Sequence, residues 1–207
     1  MSSRKSLCII IMTMALAISA LIFFTCTVGA QPDPVTIFAR DACDPPTFDA
    51  ALNNPNACMA GDHGTTPFPL FIAELTSDHI AGAWRFNPLL DASTGTFKLV
   101  TLNLTAGQQT VIQNLGGETH TFTRVAEFGG GQKPRLNLLS GNPIMAPECA
   151  MGLPESDTNV IVEAGTSQAG PTAGTSALPE GVSKWECCIH PWMRMTVAVN
   201  QGQQGQQ

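Results

Sequence analysis

From about residue 96 onward, apolar and polar positions alternate with a period of two, in short runs broken by glycine and proline. Residues 96–104 put Lys98, Val100, Leu102 and Leu104 on one face and Phe97, Leu99, Thr101 and Asn103 on the other. Residues 119–126 alternate His120, Phe122 and Arg124 with Thr121, Thr123 and Val125. Such alternation predicts β-strands, and β-rich runs at 34–39, 110–115, 159–164, 182–188 and 195–200 extend the set. Near-helical spacing is confined to the N-terminal third. There Leu70, Phe71, Ile72 and Leu75 mark a helix over 69–77, and 47–52 follows Pro45 and Pro46 as a second. The pattern predicts an all-β sandwich over 96–200 with a partly helical N-terminal extension over 31–95 packed on it. The Gly- and Pro-rich stretch 127–157 reads as an ordered functional loop or a cover. Residues 166–180 read as a surface loop, and the Gln/Gly tail 201–207 as disordered. No internal repeat is visible.

One apolar run does not belong to this pattern. Residues 7–24 are nearly all apolar and uncharged, follow Arg4 and Lys5, and precede the small residues Val28, Gly29 and Ala30. That layout predicts a signal peptide over 1–30, cleaved before Gln31. An uncleaved membrane anchor is the alternative. Lipidation at Cys26 is disfavoured by Thr25 before it. With no second such run, no membrane span is expected after cleavage, and the mature chain is expected in the periplasm or outside the cell, where disulfides persist.

Composition narrows the function classes. The chain has 207 residues, enough for one domain with an appendage, and only 13% are charged, which excludes a disordered polyelectrolyte. The net charge of −6 becomes −8 without Arg4 and Lys5, so no nucleic-acid partner is expected. Four histidines are too few for a large multi-histidine cluster. No Ser/His/Asp set or carboxylate pair suggests hydrolysis, and no enzyme activity is expected. Five cysteines lie beyond residue 30: Cys43, Cys58, Cys149, Cys187 and Cys188. An odd count in an exported chain leaves one thiol over, free or bound to a metal.

The neighbours of Cys187 favour a metal. Cys187, His190 and Met193 follow one another at intervals of three, where one strand ends, a tight loop turns and another strand begins. Such a loop can aim a thiolate, an imidazole and a thioether at one point, and these donors select copper over calcium or magnesium. His120, at a strand start after Gly116 and Gly117, can supply a second imidazole. Two imidazoles, a thiolate and a long axial methionine make a blue-copper electron-transfer site.

The loop Cys187, His190, Pro191, Trp192, Met193 and Arg194 resembles the amicyanin and plastocyanin-like ligand loop of the cupredoxin family, and the glycine-rich turn ending in His120 resembles that family's first-ligand region. The resemblance covers roughly 96–200. It implies a Greek-key β-sandwich holding one type 1 copper, through His120, Cys187, His190 and Met193, and a redox protein partner. It departs from the family at Thr121, where many members carry an asparagine that ties the two ligand loops together. Met195 stands at the plastocyanin-like spacing, Met193 at the amicyanin spacing; Met193 is favoured because Met195 begins a strand. The electron is expected to leave through an exposed edge of His190, with Trp192 in an apolar patch where the partner docks. A protein that carries copper as cargo, for delivery or resistance, is the alternative function.

Successive strand residues point to opposite faces, so Cys187 is assigned to copper and Cys188 to a disulfide. A Cys187–Cys188 bridge would destroy the site and strain the backbone. Of three pairings open to the other four cysteines, Cys43–Cys58 and Cys149–Cys188 are expected. The first closes a short loop around the 47–52 helix, and the second ties 127–157 to the outer face of the ligand strand. His63 and His79 lack ligand spacing and read as surface or structural, and Trp84 reads as a core plug for the extension.

Overall fold

A computed structural model describes residues 32–59, 65–87, 100–150 and 154–201. The expected signal peptide, His63, residues 96–99 and all of the tail but Gln201 fall outside the described residues.

Two mixed sheets form a sandwich. One carries β1 (Val35–Arg40), β2 (Arg85–Phe86), β4 (Gln109–Asn114) and β7 (Ser167–Thr172) in the order β2-β1-β4-β7. The other carries β3 (Val100–Thr105), β5 (His120–Val125), β6 (Asn159–Val162), β8 (Gly181–Glu186) and β9 (Arg194–Asn200) in the order β3-β9-β8-β5-β6. Strands β1 and β4 run parallel, as do β3 and β9; the remaining pairs are antiparallel. Alternation works as the sequence predicts: Ile37, Ala39 and Ile112 of the first sheet and Phe122, Trp185 and Val197 of the second are buried in one core. Phe122 stacks on Trp185 at 4.3 Å and meets Phe86 of the first sheet edge-on at 5.4 Å.

Two expectations change. The boundary at 95/96 does not divide the fold, because β1 pairs along its length with β4, from Val35 beside Thr110 to Ala39 beside Asn114. Local periodicity finds a short strand but not its distant partner. Second, the expected surface loop 166–180 contains β7. Ser167, Gln168 and Ala169 are exposed there, so this edge strand shows no apolar alternation and is held by backbone pairing to β4.

The predicted helices are α1 (Pro45–Leu52) and α2 (Phe68–Asp78). Asp44 caps α1, its carboxylate accepting from Thr47 N at 3.3 Å. Phe48, Phe68, Phe71 and Trp84 pack ring against ring, which makes Trp84 the expected plug. The 127–157 stretch is ordered by α3 (Pro134–Leu139) and a 3₁₀ turn at Pro147–Cys149. Asn137 holds its start, accepting from Gly131 N at 2.8 Å and donating to Gly131 O at 2.9 Å. The disulfides are Cys43–Cys58 and Cys149–Cys188, and Cys187 is a buried free thiol. No helix among the described residues is long and apolar enough to cross a membrane.

Candidate metal centre

The loop between β8 and β9 closes on itself. Cys187 N donates to Met193 O at 3.0 Å and Met193 N to His190 O at 2.8 Å, which folds Cys187 and His190 to one side. β5 pairs with β8 and begins at His120, so the second imidazole enters from the neighbouring strand. Thr121, at the position where the family resemblance fails, joins the two loops. Its Oγ1 accepts from Cys188 N at 2.7 Å and its own N–H points at Cys187 Sγ at 3.4 Å. A threonine hydroxyl thus does the tying for which the resemblance led one to look for asparagine.

Three donor atoms converge in the interior. Cys187 Sγ lies 3.8 Å from His120 Nδ1 and 3.8 Å from His190 Nδ1, and the two Nδ1 atoms are 3.3 Å apart. Metal bonds of about 2.0 Å to imidazole and about 2.3 Å to thiolate, set trigonally, need edges of about 3.5 Å between nitrogens and about 3.7 Å from sulfur to nitrogen. A tetrahedral arrangement of the same bonds would shorten the sulfur–nitrogen edges to about 3.5 Å. The sulfur edges of the observed triangle lie nearest the trigonal values and its nitrogen–nitrogen edge of 3.3 Å nearest the tetrahedral value of about 3.3 Å, so the donors are spaced for one metal ion, and a thiolate with two imidazoles fits copper. Met193 is fully buried beside this loop; Met195 is committed to β9, in register with Trp185 and Val100.

The two-sheet β-sandwich and the buried group of His120, Cys187 and His190 fit what the resemblance of the ligand loop implies.

No family model and no curated protein matches it. Among solved structures it is similar to a purple cupredoxin from Nitrosopumilus maritimus, at 17% identity over 60% of this chain and 93% of that one, with a TM-score of 0.34. A Cu(I) amicyanin mutant aligns at 13% identity over 52% of this chain and 76% of that one, with a TM-score of 0.30.

The far nitrogens of both imidazoles face carboxylates. His120 Nε2 donates to Asp41 Oδ2 at 2.8 Å, and His190 Nε2 lies 3.5 Å from Glu118 Oε2. A carboxylate only accepts, so His120 Nε2 carries a proton, and Nδ1 is the ring nitrogen that faces the sulfur. Asp41 also accepts from Gly117 N at 2.9 Å and Glu118 N at 3.0 Å. Burial opposes its charge, but His120 and these donors outweigh it and hold its pKa below the usual carboxylate value. Burial likewise opposes a charged Cys187, yet hydrogen bonds from His120 and His190 hold the thiol well below its ordinary value. The imidazoles shift the other way. Against burial, Asp41 and Cys187 raise His120, and Glu118 and Cys187 raise His190 to about 10. The centre therefore favours a thiolate among cationic neighbours, and a metal cation competes with protons for the same Nδ1 atoms.

The expected exposure is not found. His190 is 2% exposed and Trp192 9%, because Trp192 packs on His190 at 5.4 Å and on Phe71 of α2 at 5.9 Å, and Glu118, held by Trp84 Nε1, lies against His190 Nε2. The N-terminal segment thus covers the centre. Sequence reasoning passed over Asp41 and Glu118. Glu118 carried a signal, two residues before His120; Asp41 carried none, since only the β1–β4 pairing brings it there. His79, in a left-handed cap of α2, bonds Leu139 O at 2.7 Å and is structural. Asp41, Cys43 and Glu118 also cluster, but the disulfide removes Cys43 as a thiolate donor.

Proposed function

We propose that this protein is an exported carrier of single electrons with one type 1 copper, which His120, Cys187, His190 and Met193 would hold. The observation that supports it most is the buried triangle of one sulfur and two Nδ1 atoms at 3.3–3.8 Å. Copper, when bound there, supplies a one-electron couple, Cu(II)/Cu(I). The chain's own residues hold the donors before the ion arrives: Thr121 fixes the Cys187 loop to β5, Asp41 fixes the tautomer of His120, and the aromatic cover excludes water. Export is supported by the two disulfides.

A redox protein partner docks near Trp192 and His190, on the face of α2 that covers them. The rings of Trp192, Phe71 and Phe68 lead outward from His190 at successive centroid separations of 5.4, 5.9 and 5.9 Å, ending at half-buried Phe68. Burial of all three donors favours a resident ion over copper carried as cargo, and leaves no ligand edge for a substrate, so a carrier is favoured over an enzyme.

Visible and EPR spectra of the copper-loaded protein test this reading. One copper per chain with an intense thiolate charge-transfer band is expected; Cys187→Ser abolishes the band and Cys188→Ser keeps it. A wild-type protein without the band, or a band lost only in the Cys188 variant, overturns the assignment.

A further inference from the structure

The two carboxylates behind the imidazoles have a role beyond holding the fold. Asp41 is 2% exposed and lies in the chain between β1 and α1, outside both sheets. Its two oxygens receive His120 Nε2, Gly117 N, Glu118 N and, at 3.3 Å, Cys43 N. Glu118 is bound from the other side by Trp84 Nε1, which donates to Oε2 at 2.6 Å. Gly116 and Gly117 make this approach feasible: a Cβ on Gly116 would run into the Asp41 carboxylate, and one on Gly117 into the Met59 carbonyl. The segment is therefore built to press a carboxylate onto His120.

A carboxylate on the far nitrogen of a metal-bound imidazole fixes the ring and makes it a more basic donor. Two such carboxylates and a thiolate bring three negative charges to one buried cation. In a medium that screens poorly, this charge stabilises the divalent ion more than the monovalent one. Resting on the copper reading above, we propose that Asp41 and Glu118 are positioning residues that bias the centre toward Cu(II) and so set a low reduction potential. Asp41 has the larger effect, because its contact is shorter and it is the more deeply buried of the two.

The test is the midpoint potential of the copper-loaded protein carrying Asp41→Asn or Glu118→Gln, with the charge-transfer band read alongside. Asp41→Asn is expected to shift the Cu(II)/Cu(I) ratio at fixed ambient potential at least tenfold toward Cu(I), about 59 mV for a one-electron couple, with the band retained. Glu118→Gln shifts it the same way by less. Asp44→Asn, in the same segment but committed to capping α1, lowers stability and leaves the potential unchanged. If Asp41→Asn does not fold, Glu118→Gln decides alone. Unchanged potentials with intact bands overturn the proposal and leave the copper reading standing; a wild-type chain that binds no copper removes both.

Discussion

Cys187 and Cys188 are neighbours with opposite fates, since one faces the interior between two imidazoles and the other bonds Cys149 on the outer side. The two methionines after them differ in the same way. Met193 belongs to the closed loop and Met195 to the ladder of β9. A thioether favours Cu(I) more than an amide oxygen does, so Met193→Gln is expected to lower the reduction potential with copper still bound. Met195→Gln is expected to leave it in place, and potentiometry on the pair would reverse the choice if only the second shifts. Glu186 precedes Cys187 and is fully buried, accepting from Gly129 N at 3.1 Å with Arg194 Nε 3.6 Å away. Burial, the largest cause, raises its pKa from 4.5 to about 7. A raised carboxyl contributes stability that is whole below about pH 4.5 and lost as pH rises through about 7, worth roughly 3 kcal/mol at most. Glu186→Gln should therefore match the wild type in thermal unfolding near pH 4 and exceed it at pH 8. A gain equal at both pH values would refute this.

At the scale of elements, three separate segments meet at the centre: the start of β5, the loop before β9 and the chain after β1. Each contact has its own device. Gly117 lets 41–59 lie against the His120 loop, and Met59 N donates to Gly117 O at 2.6 Å. Gly117→Ala forces a side chain into the Met59 carbonyl and should cost about 1–3 kcal/mol in denaturant unfolding. An unchanged midpoint would mean that this approach is loose. The Cys149–Cys188 bridge, with a sequence separation of 39, anchors the 127–157 stretch beside the ligand loop. By the chain-entropy model, replacing both cysteines with alanine should cost about 4 kcal/mol and leave the charge-transfer band, because Cys187 is not part of the bridge. Loss of the band would show that the bridge positions Cys187 itself.

For the whole molecule, the net charge of −6, or −8 over 31–207, sets its long-range behaviour. Electron exchange with a cationic inorganic oxidant should be faster than with an anionic one and should fall as salt rises. Stopped-flow rates as a function of ionic strength check the sign. A faster reaction with the anion would place a local positive field over α2 that outweighs the net charge.

The sequence alone determined what is local or arithmetical. Period-two alternation marked most of the strands, intervals of three grouped Cys187, His190 and Met193, and an odd cysteine count left one sulfur for a metal. Strand alternation even separated Cys187 from Cys188 and so led to the two disulfides found. What only the tertiary structure decided depends on pairing between distant segments. β7 has exposed polar residues that carry no periodic signal, and β1 pairs with β4, which lies some seventy residues later. That parallel pairing carries Asp41 to His120, 79 residues away, and the packing of α2 on Trp192 buries the imidazole edge that the ligand loop alone would leave open. A carboxylate's identity is written at its position; the imidazole it will hold is chosen by backbone hydrogen bonds between strands and by the packing of rings, neither of which a linear pattern records.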